Sequence, residues 1–323
     1  MLRSRWRGVG VSSVSCAYMV VTYYSVLIAW VINAFFSSFG DEDPWATEGT
    51  TGENATDYFL EKIIGTETLG DDGRPTRIVW ANVGYSALTW FLIWLCLAGG
   101  TKWTGRITYF TMGLPIVLLF VFLGKAVSLE GAEDGIVEYI GRWDMDVLTD
   151  RPDCWSTAVS QIFFSIGVTF GIMTAFGSYN ERKEPAVLHS CVIAIANSTF
   201  SFISGFAVFA SLGYLATIQG VDVVDLPYAG FSLVFGTWPV VFGTLPGGEH
   251  WVRLLFFDLF LLGIDSGFGL LEGSLTAAAD TVYLSKYSKA QLSGAMSIIG
   301  WLFSFIYCTD AGLNFLDVVD FYM

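Results

Sequence analysis

The chain has 323 residues, 54% of them hydrophobic and only 14% charged, with a mean hydropathy of +0.57. That composition excludes a single soluble core and points to an all-α membrane protein that takes the lipid bilayer as its solvent. The formal net charge of −14 does not call for a basic partner. The acids crowd into two connectors, residues 39–75 and 130–153, which read as solvated loops on one side of the membrane.

Apolar stretches near the 20 residues or so that a helix needs to cross a bilayer occur at 9–38, 80–98, 107–128, 157–179, 187–215, 251–282 and 291–308. Seven spans are therefore predicted, with an eighth beginning at Leu313. The chain runs through Arg3, Arg5 and Arg7 straight into the first of them, an apolar segment too long for the core of a cleavable signal peptide. Arg3, Arg5, Arg7, Lys102, Arg106, Arg182, Lys183, Lys286 and Lys289 all fall on alternate connectors. By the positive-inside rule that side is cytoplasmic, and so is the N-terminus.

The connector at 39–79 is then extracellular, and its Asn54-Ala-Thr is a candidate glycosylation acceptor. Asn197-Ser-Thr has the same pattern but sits inside an apolar span, out of reach of a transferase. In the fourth span, Gly167 and Gly171 flank β-branched Val168 and Thr169. Two readings are open there, an unwound centre or close helix packing through small residues. Residues 216–250, apolar but broken by Gly and Pro, form a second extracellular loop, with short helices. The scattered cysteines Cys16, Cys96, Cys154, Cys191 and Cys308 offer neither a disulfide framework nor a metal site.

Asp258, Asp265 and Glu272 recur every seven residues in an otherwise apolar run, which keeps them near one face of a helix. An ionised carboxylate at the bilayer centre costs roughly 2.5 kcal/mol or more, so such a residue either faces a cavity or a partner, or is a protonated, hydrogen-bonded carboxyl that holds helices together. Ser266, beside Asp265, adds a second hard oxygen suited to an alkali cation. Gln161 and Ser165 are four apart in one span, and Asn197 and Ser201 four apart in the next. Each pair stacks on one helix face, able to bind an ion or to hydrogen-bond between helices.

The segments "SQIFFSIGVTFGIMTAFGSYN", "ANSTFSFISGFAVFASLGYLA", "LLGIDSGFGLLEG" and "YYSVLIAWVINAFFSSF" resemble, in that order, the sixth, seventh, eighth and third helices of the neurotransmitter:sodium symporter family. The resemblance covers nearly the whole chain, from the third helix into the start of the tenth, without the first two helices or the last two. It implies a single, incomplete transporter domain over 1–323, with a partial inverted-repeat fold and a discontinuous helix. The implied function is sodium-coupled, chloride-dependent symport of an amino acid or related amine by alternating access, at the plasma membrane. Sodium and chloride are the only ions implied, no other cofactor or metal is, and neither enzymatic activity nor a nucleic acid partner is expected.

Residue by residue, the resemblance assigns Leu262 (through its carbonyl), Asp265 and Ser266 to one sodium site, and Ser165 and Asn197 to another. Gln161, Ser165, Asn197 and Ser201 match a chloride site. Val20, Tyr24, Phe164, Thr169, Phe170 and Leu270 match substrate-pocket positions, with Tyr24 and Phe170 resembling an aromatic lid. Tyr179 and Asp280 match a cytoplasmic gate, and Asp320 an outer one whose partner belongs to the family's first helix. Glu272 is implied to be a structural hydrogen-bonding residue. Thr169 stands where relatives have glycine, which points to a small substrate, and the large extracellular loop lacks the family's cysteine pair. Two other readings stand beside transport. One is a truncated chain that only associates with membrane partners; the other is a seven-helix receptor, which the charge rule opposes.

Overall fold

The computed structural model describes residues 7–40, 43–70, 73–226 and 230–322. Arg3 and Arg5, on which the predicted orientation partly rests, lie outside the described residues. The long helices are α1 (Arg7–Ser37), α2 (Trp80–Ala98), α3 (Thr101–Val127), α4 (Asp153–Ile166), α5 (Ile172–Ser178), α6 (Ala186–Gln219), α7 (Gly248–Ala279), α8 (Lys289–Ser304) and α9 (Gly312–Tyr322). Among the described residues, six helices are long and apolar enough to cross a membrane. The predicted span at 157–179 is not one continuous helix.

That stretch is broken where the glycines fall. α4 ends because Gly167 adopts φ +69°, a left-handed conformation that only glycine takes without strain, and its N–H caps the carbonyls of Phe163 and Phe164. A single 3₁₀ turn, Val168–Phe170, follows, and Gly171 at φ +76° turns the chain again before α5 begins. Of the two readings open in the sequence, the unwound centre is the one adopted.

The chain forms two compact units, Met1–Ile116 with Ala229–Met323, and Val117–Tyr228. In the first, α1 is the central element, and Ala17, Val21, Ala29, Trp30 and Ala34 are fully buried. α7 packs along α1 and α2, with Gly263 and Gly267 placing its backbone against Ile28 and Ile93. A side chain at Gly263 would crowd Ile28, so the close approach requires glycine there. One polar cluster buried between these helices is satisfied locally. Ser304 Oγ donates to the Thr22 carbonyl at 2.8 Å and accepts from Trp90 Nε1 at 3.0 Å, as burial in an apolar medium demands.

The connectors of this unit fold onto one another. Helix Gly52–Tyr58 lies in the first and helix Trp238–Gly243 in the second. Phe59 stacks on Phe235 with centroids 3.9 Å apart, and Trp45 Nε1 donates to the Phe235 carbonyl at 2.6 Å. A single antiparallel bridge, Ile78 to Thr309, ties the first connector to the turn between α8 and α9. In the second unit, helix Ala132–Ile136 lies directly on α6, with Gly131 and Gly135 facing Gly213 at the crossing.

Candidate ion and substrate sites

The three carboxylates of α7 meet three different surroundings. Asp258 is buried, and its Oδ1 has no hydrogen-bond partner among the described residues. Glu272 is 1% exposed and forms an ion pair with Lys289 in the first turn of α8. Asp265, between them, is partly buried, and its Oδ1 accepts a hydrogen bond from the Thr111 hydroxyl of α3 at 2.6 Å. Tyr24 of α1 lies against both Ser266 and Asp265, and Cys96 of α2 lies within electrostatic range of the same carboxylate. On α7 itself, the Ser266 hydroxyl donates to the Leu262 carbonyl at 3.2 Å.

A carboxylate, a phenol, two hydroxyls and a backbone carbonyl thus lie along one stretch of α7 and its neighbours, with Leu262 and Ser266 exposed. Apart from the Cys96 thiol these are hard oxygen donors, the set that suits an alkali or alkaline-earth cation. Magnitudes favour a ligand here. An ionised carboxylate at bilayer depth costs roughly 2.5–3.5 kcal/mol, and one hydrogen bond to a charged acceptor returns about 1.5–3 kcal/mol. The Thr111 bond therefore offsets much of the cost of keeping Asp265 ionised.

In the second unit, Ser165 of α4 and Asn197 of α6 meet directly. Asn197 Nδ2 donates to Ser165 Oγ at 2.9 Å, and the hydroxyl lies 3.2 Å from Asn197 Oδ1. Gln161 and Ser201 are exposed, and no hydrogen bond joins them to that pair among the described residues. The four residues predicted to share an anion site are therefore only half assembled by direct contact. Phe164 meets Phe170 edge to face, with centroids 5.8 Å apart; Phe170 is buried, while Phe164 and Thr169 are exposed. Tyr179, at the end of α5, is exposed too. Of the other substrate-pocket positions, Val20 and Leu270 are buried in the first unit.

Asp280 caps the C-terminus of α7 and is exposed. Asp320 of α9 has a partner that the sequence reading missed, because Tyr23 of α1 donates to its Oδ1 at 2.6 Å. Thr111 and Lys289 were missed as well. Thr111 had one available signal, as a hydroxyl residue four positions before Pro115 in an apolar helix.

The model of the sodium:neurotransmitter symporter family matches residues 46–323. The chain belongs to this family. Its members are transporters, not enzymes. The chain is 32% identical over 349 residues to the sodium- and chloride-dependent creatine transporter 1 of Bos taurus, covering 98% of this chain and 55% of that one. It is 32% identical over 343 residues to the sodium- and chloride-dependent taurine transporter of Homo sapiens, with the same coverage. Against the sodium- and chloride-dependent GABA transporter 2 of Rattus norvegicus it is 31% identical over 352 residues, covering 98% and 56%. The chain thus spans about half the length of the curated relatives it matches. Among solved structures it resembles MhsT in complex with L-phenylalanine, with a TM-score of 0.76 at 20% identity, covering 98% of this chain and 67% of that one. That similarity shows the fold, an all-α partial inverted-repeat transporter fold with its discontinuous helix, here α4 and α5. As a symporter-family chain with six apolar helices it is an integral membrane protein.

Proposed function

We propose that this symporter-family chain takes part in sodium-coupled, chloride-dependent uptake of an amino acid or related amine by alternating access. The oxygen cluster around Asp265 carries the reading. Asp265, Ser266 and the Leu262 carbonyl are the sodium ligands contributed by α7, with Tyr24 and Thr111 next to the carboxylate. Ser165 and Asn197 are the contribution of α4 and α6 to a second ion, sodium or chloride, with Gln161 and Ser201 completing the chloride set as the helices close.

The relatives are named for taurine, creatine and GABA, small solutes that each pair an acidic group with an amine or guanidine. A substrate of that size and polarity fits a site that includes Thr169 in place of glycine. By the family resemblance, Val20, Tyr24 and Leu270 in the first unit and Phe164, Thr169 and Phe170 in the second are the substrate positions, with Tyr179 and Asp280 as cytoplasmic gate residues and Asp320 as an outer one.

Isotopic sodium binding to the purified protein tests the central claim. Wild type is expected to bind sodium saturably, and Asp265→Ala to abolish that binding while eluting as a folded species. Sodium binding that survives Asp265→Ala with unchanged affinity would remove Asp265 from the ion site.

A further inference from the structure

The sodium reading leaves Asp258 without a role. Its side chain is 5% exposed, and its Oδ1 is buried with no hydrogen-bond partner among the described residues. It stands ten residues after Gly248, about 15 Å along α7 from the helix start. With a helix of about 48 Å centred on a hydrocarbon layer of about 30 Å, that depth lies inside the layer.

No described neighbour supplies a countercharge. Arg253, the nearest base on α7, donates to the Ser38 carbonyl and pairs with Glu249, which His250 also approaches. Further along the helix, Asp265 takes the Thr111 hydroxyl and Glu272 takes Lys289 of α8. α1, α2, α8 and helix Trp238–Gly243 pack against α7. From Gly8 to Ser37, α1 has no Asp, Glu, Lys, Arg or His; its Tyr18, Tyr23 and Tyr24 turn to Met296, Asp320 and Ser266, and Cys16 lies near Tyr23. On α2 the titratable groups are Tyr85, stacked on Phe36, and Cys96, near Asp265. Helix Trp238–Gly243 carries none. α3, which reaches α7 at Thr111, has Lys102 and Arg106 near its start, an exposed Tyr109, and Lys125 in its last turn.

An ionised carboxylate in that setting has neither an ion pair nor a hydrogen bond to offset its burial. A carboxylic acid is neutral there and brings its own donor. A metal cation would need several further oxygens, whereas a proton needs one.

We propose that Asp258 is a proton-binding site, separate from the ion position at Asp265: its carboxylate takes a proton from water, holds it while the bundle encloses it, and returns it when water regains access. One O–H bond forms and the same bond breaks. Asp265 lies seven residues away, about 10 Å along the helix. Loss of the proton therefore places a negative charge near the sodium position and raises sodium affinity there, by roughly 10-fold at an effective dielectric constant of about 20. Linkage makes the effect reciprocal, so sodium binding expels the proton. This coupling rests on the reading of Asp265 as a sodium ligand; the proton site itself does not.

Infrared difference spectra of the purified protein at neutral pH test the site. The carbonyl stretch of a protonated carboxyl is expected in wild type, lost in Asp258→Asn and kept in Asp265→Asn. With a pH indicator in weak buffer, sodium added to wild type should release protons. Sodium added to Asp258→Asn should release none, although that variant still binds isotopic sodium. No carboxyl band lost in Asp258→Asn overturns the proposal. So does a band that survives sodium saturation of wild type without proton release, the mark of a fixed acid that only joins helices. Asp258→Leu serves as the second variant if the asparagine protein does not fold. Wild type that binds no sodium fails the reading of Asp265 and passes the decision on Asp258 to a pH titration. There, a band that bleaches reversibly as the pH is raised upholds the proton site, and one that persists until unfolding removes it.

Discussion

Asp310, in the turn between α8 and α9, is fully buried and gathers four donor groups from the first connector. The hydroxyls of Thr68 and Thr76 and the backbone N–H of Thr76 and Arg77 all reach its carboxylate. Burial alone would raise its pKa, but the bonds from Thr76, Arg77 and Thr68 outweigh burial and hold the group below the usual carboxylate range. A carboxyl depressed on folding contributes its full stability above its unfolded value, about 4, and loses that contribution as pH falls through the lower folded value. Acidification from about pH 4 downward should therefore lower the thermal midpoint of wild type. Asp310→Asn should unfold earlier at neutral pH, by at least about 1.5 kcal/mol for one charged hydrogen bond lost, and show a flatter acid limb. An unchanged midpoint would mean that the connector is held by other contacts. No local pattern in the sequence announced this residue, because its donors lie more than two hundred positions away. Asp265 was legible for the opposite reason, as an acid in an apolar run is conspicuous without any knowledge of its neighbours. Its partner Thr111 was not, since a hydroxyl is cheap to bury and its role exists only across the interface between α3 and α7.

The break between α4 and α5 makes a sharper test at the level of the helix. Gly171 has φ +76°, where any side chain meets the left-handed penalty of about 1–2 kcal/mol. Gly177, one turn and a half further on, is helical, and a Cβ there meets nothing within 4 Å. Gly171→Ala should therefore destabilise the protein, whereas Gly177→Ala should be neutral or gain up to about 1 kcal/mol from helix propensity. Equal effects in thermal unfolding would argue against a fixed break. The glycines announced a special segment in the sequence but could not say which kind. Small residues permit both close packing and unwinding, and only the backbone conformation distinguishes the two. The other spans were easier to read, with ends differing by a few residues from the helices observed. α3 starts at Thr101, not 107, since its first turns are polar and escape a hydropathy argument.

Across the molecule, orientation links the connectors to chemistry that can be assayed. Asn54 is exposed on helix Gly52–Tyr58, in the connector expected outside. In cells, glycosidase treatment should shift the mobility of wild type but not of Asn54→Gln, and an N-terminal epitope should be reached by antibody only after permeabilisation. An epitope accessible on intact cells would reverse the assigned topology. The way α1 is packed has a consequence for how such a chain is made. α1 contacts α2, α7, α8 and the turn after α8, and its Thr22 carbonyl and Ser25 hydroxyl pair with Ser304. Roughly two hundred residues separate α1 from α7, an interval of roughly 10–40 s at ribosomal speed. During that time α1 must stay in the bilayer with its seam for α7 exposed to lipid and its hydroxyls bonded back onto its own carbonyls, as the contacts of Thr22 to Met19 and Ser25 to Thr22 already allow. Biogenesis of this bundle is thus a waiting problem: α1 is made about two hundred residues before its main partner, and a chain halted before α7 leaves it without a home.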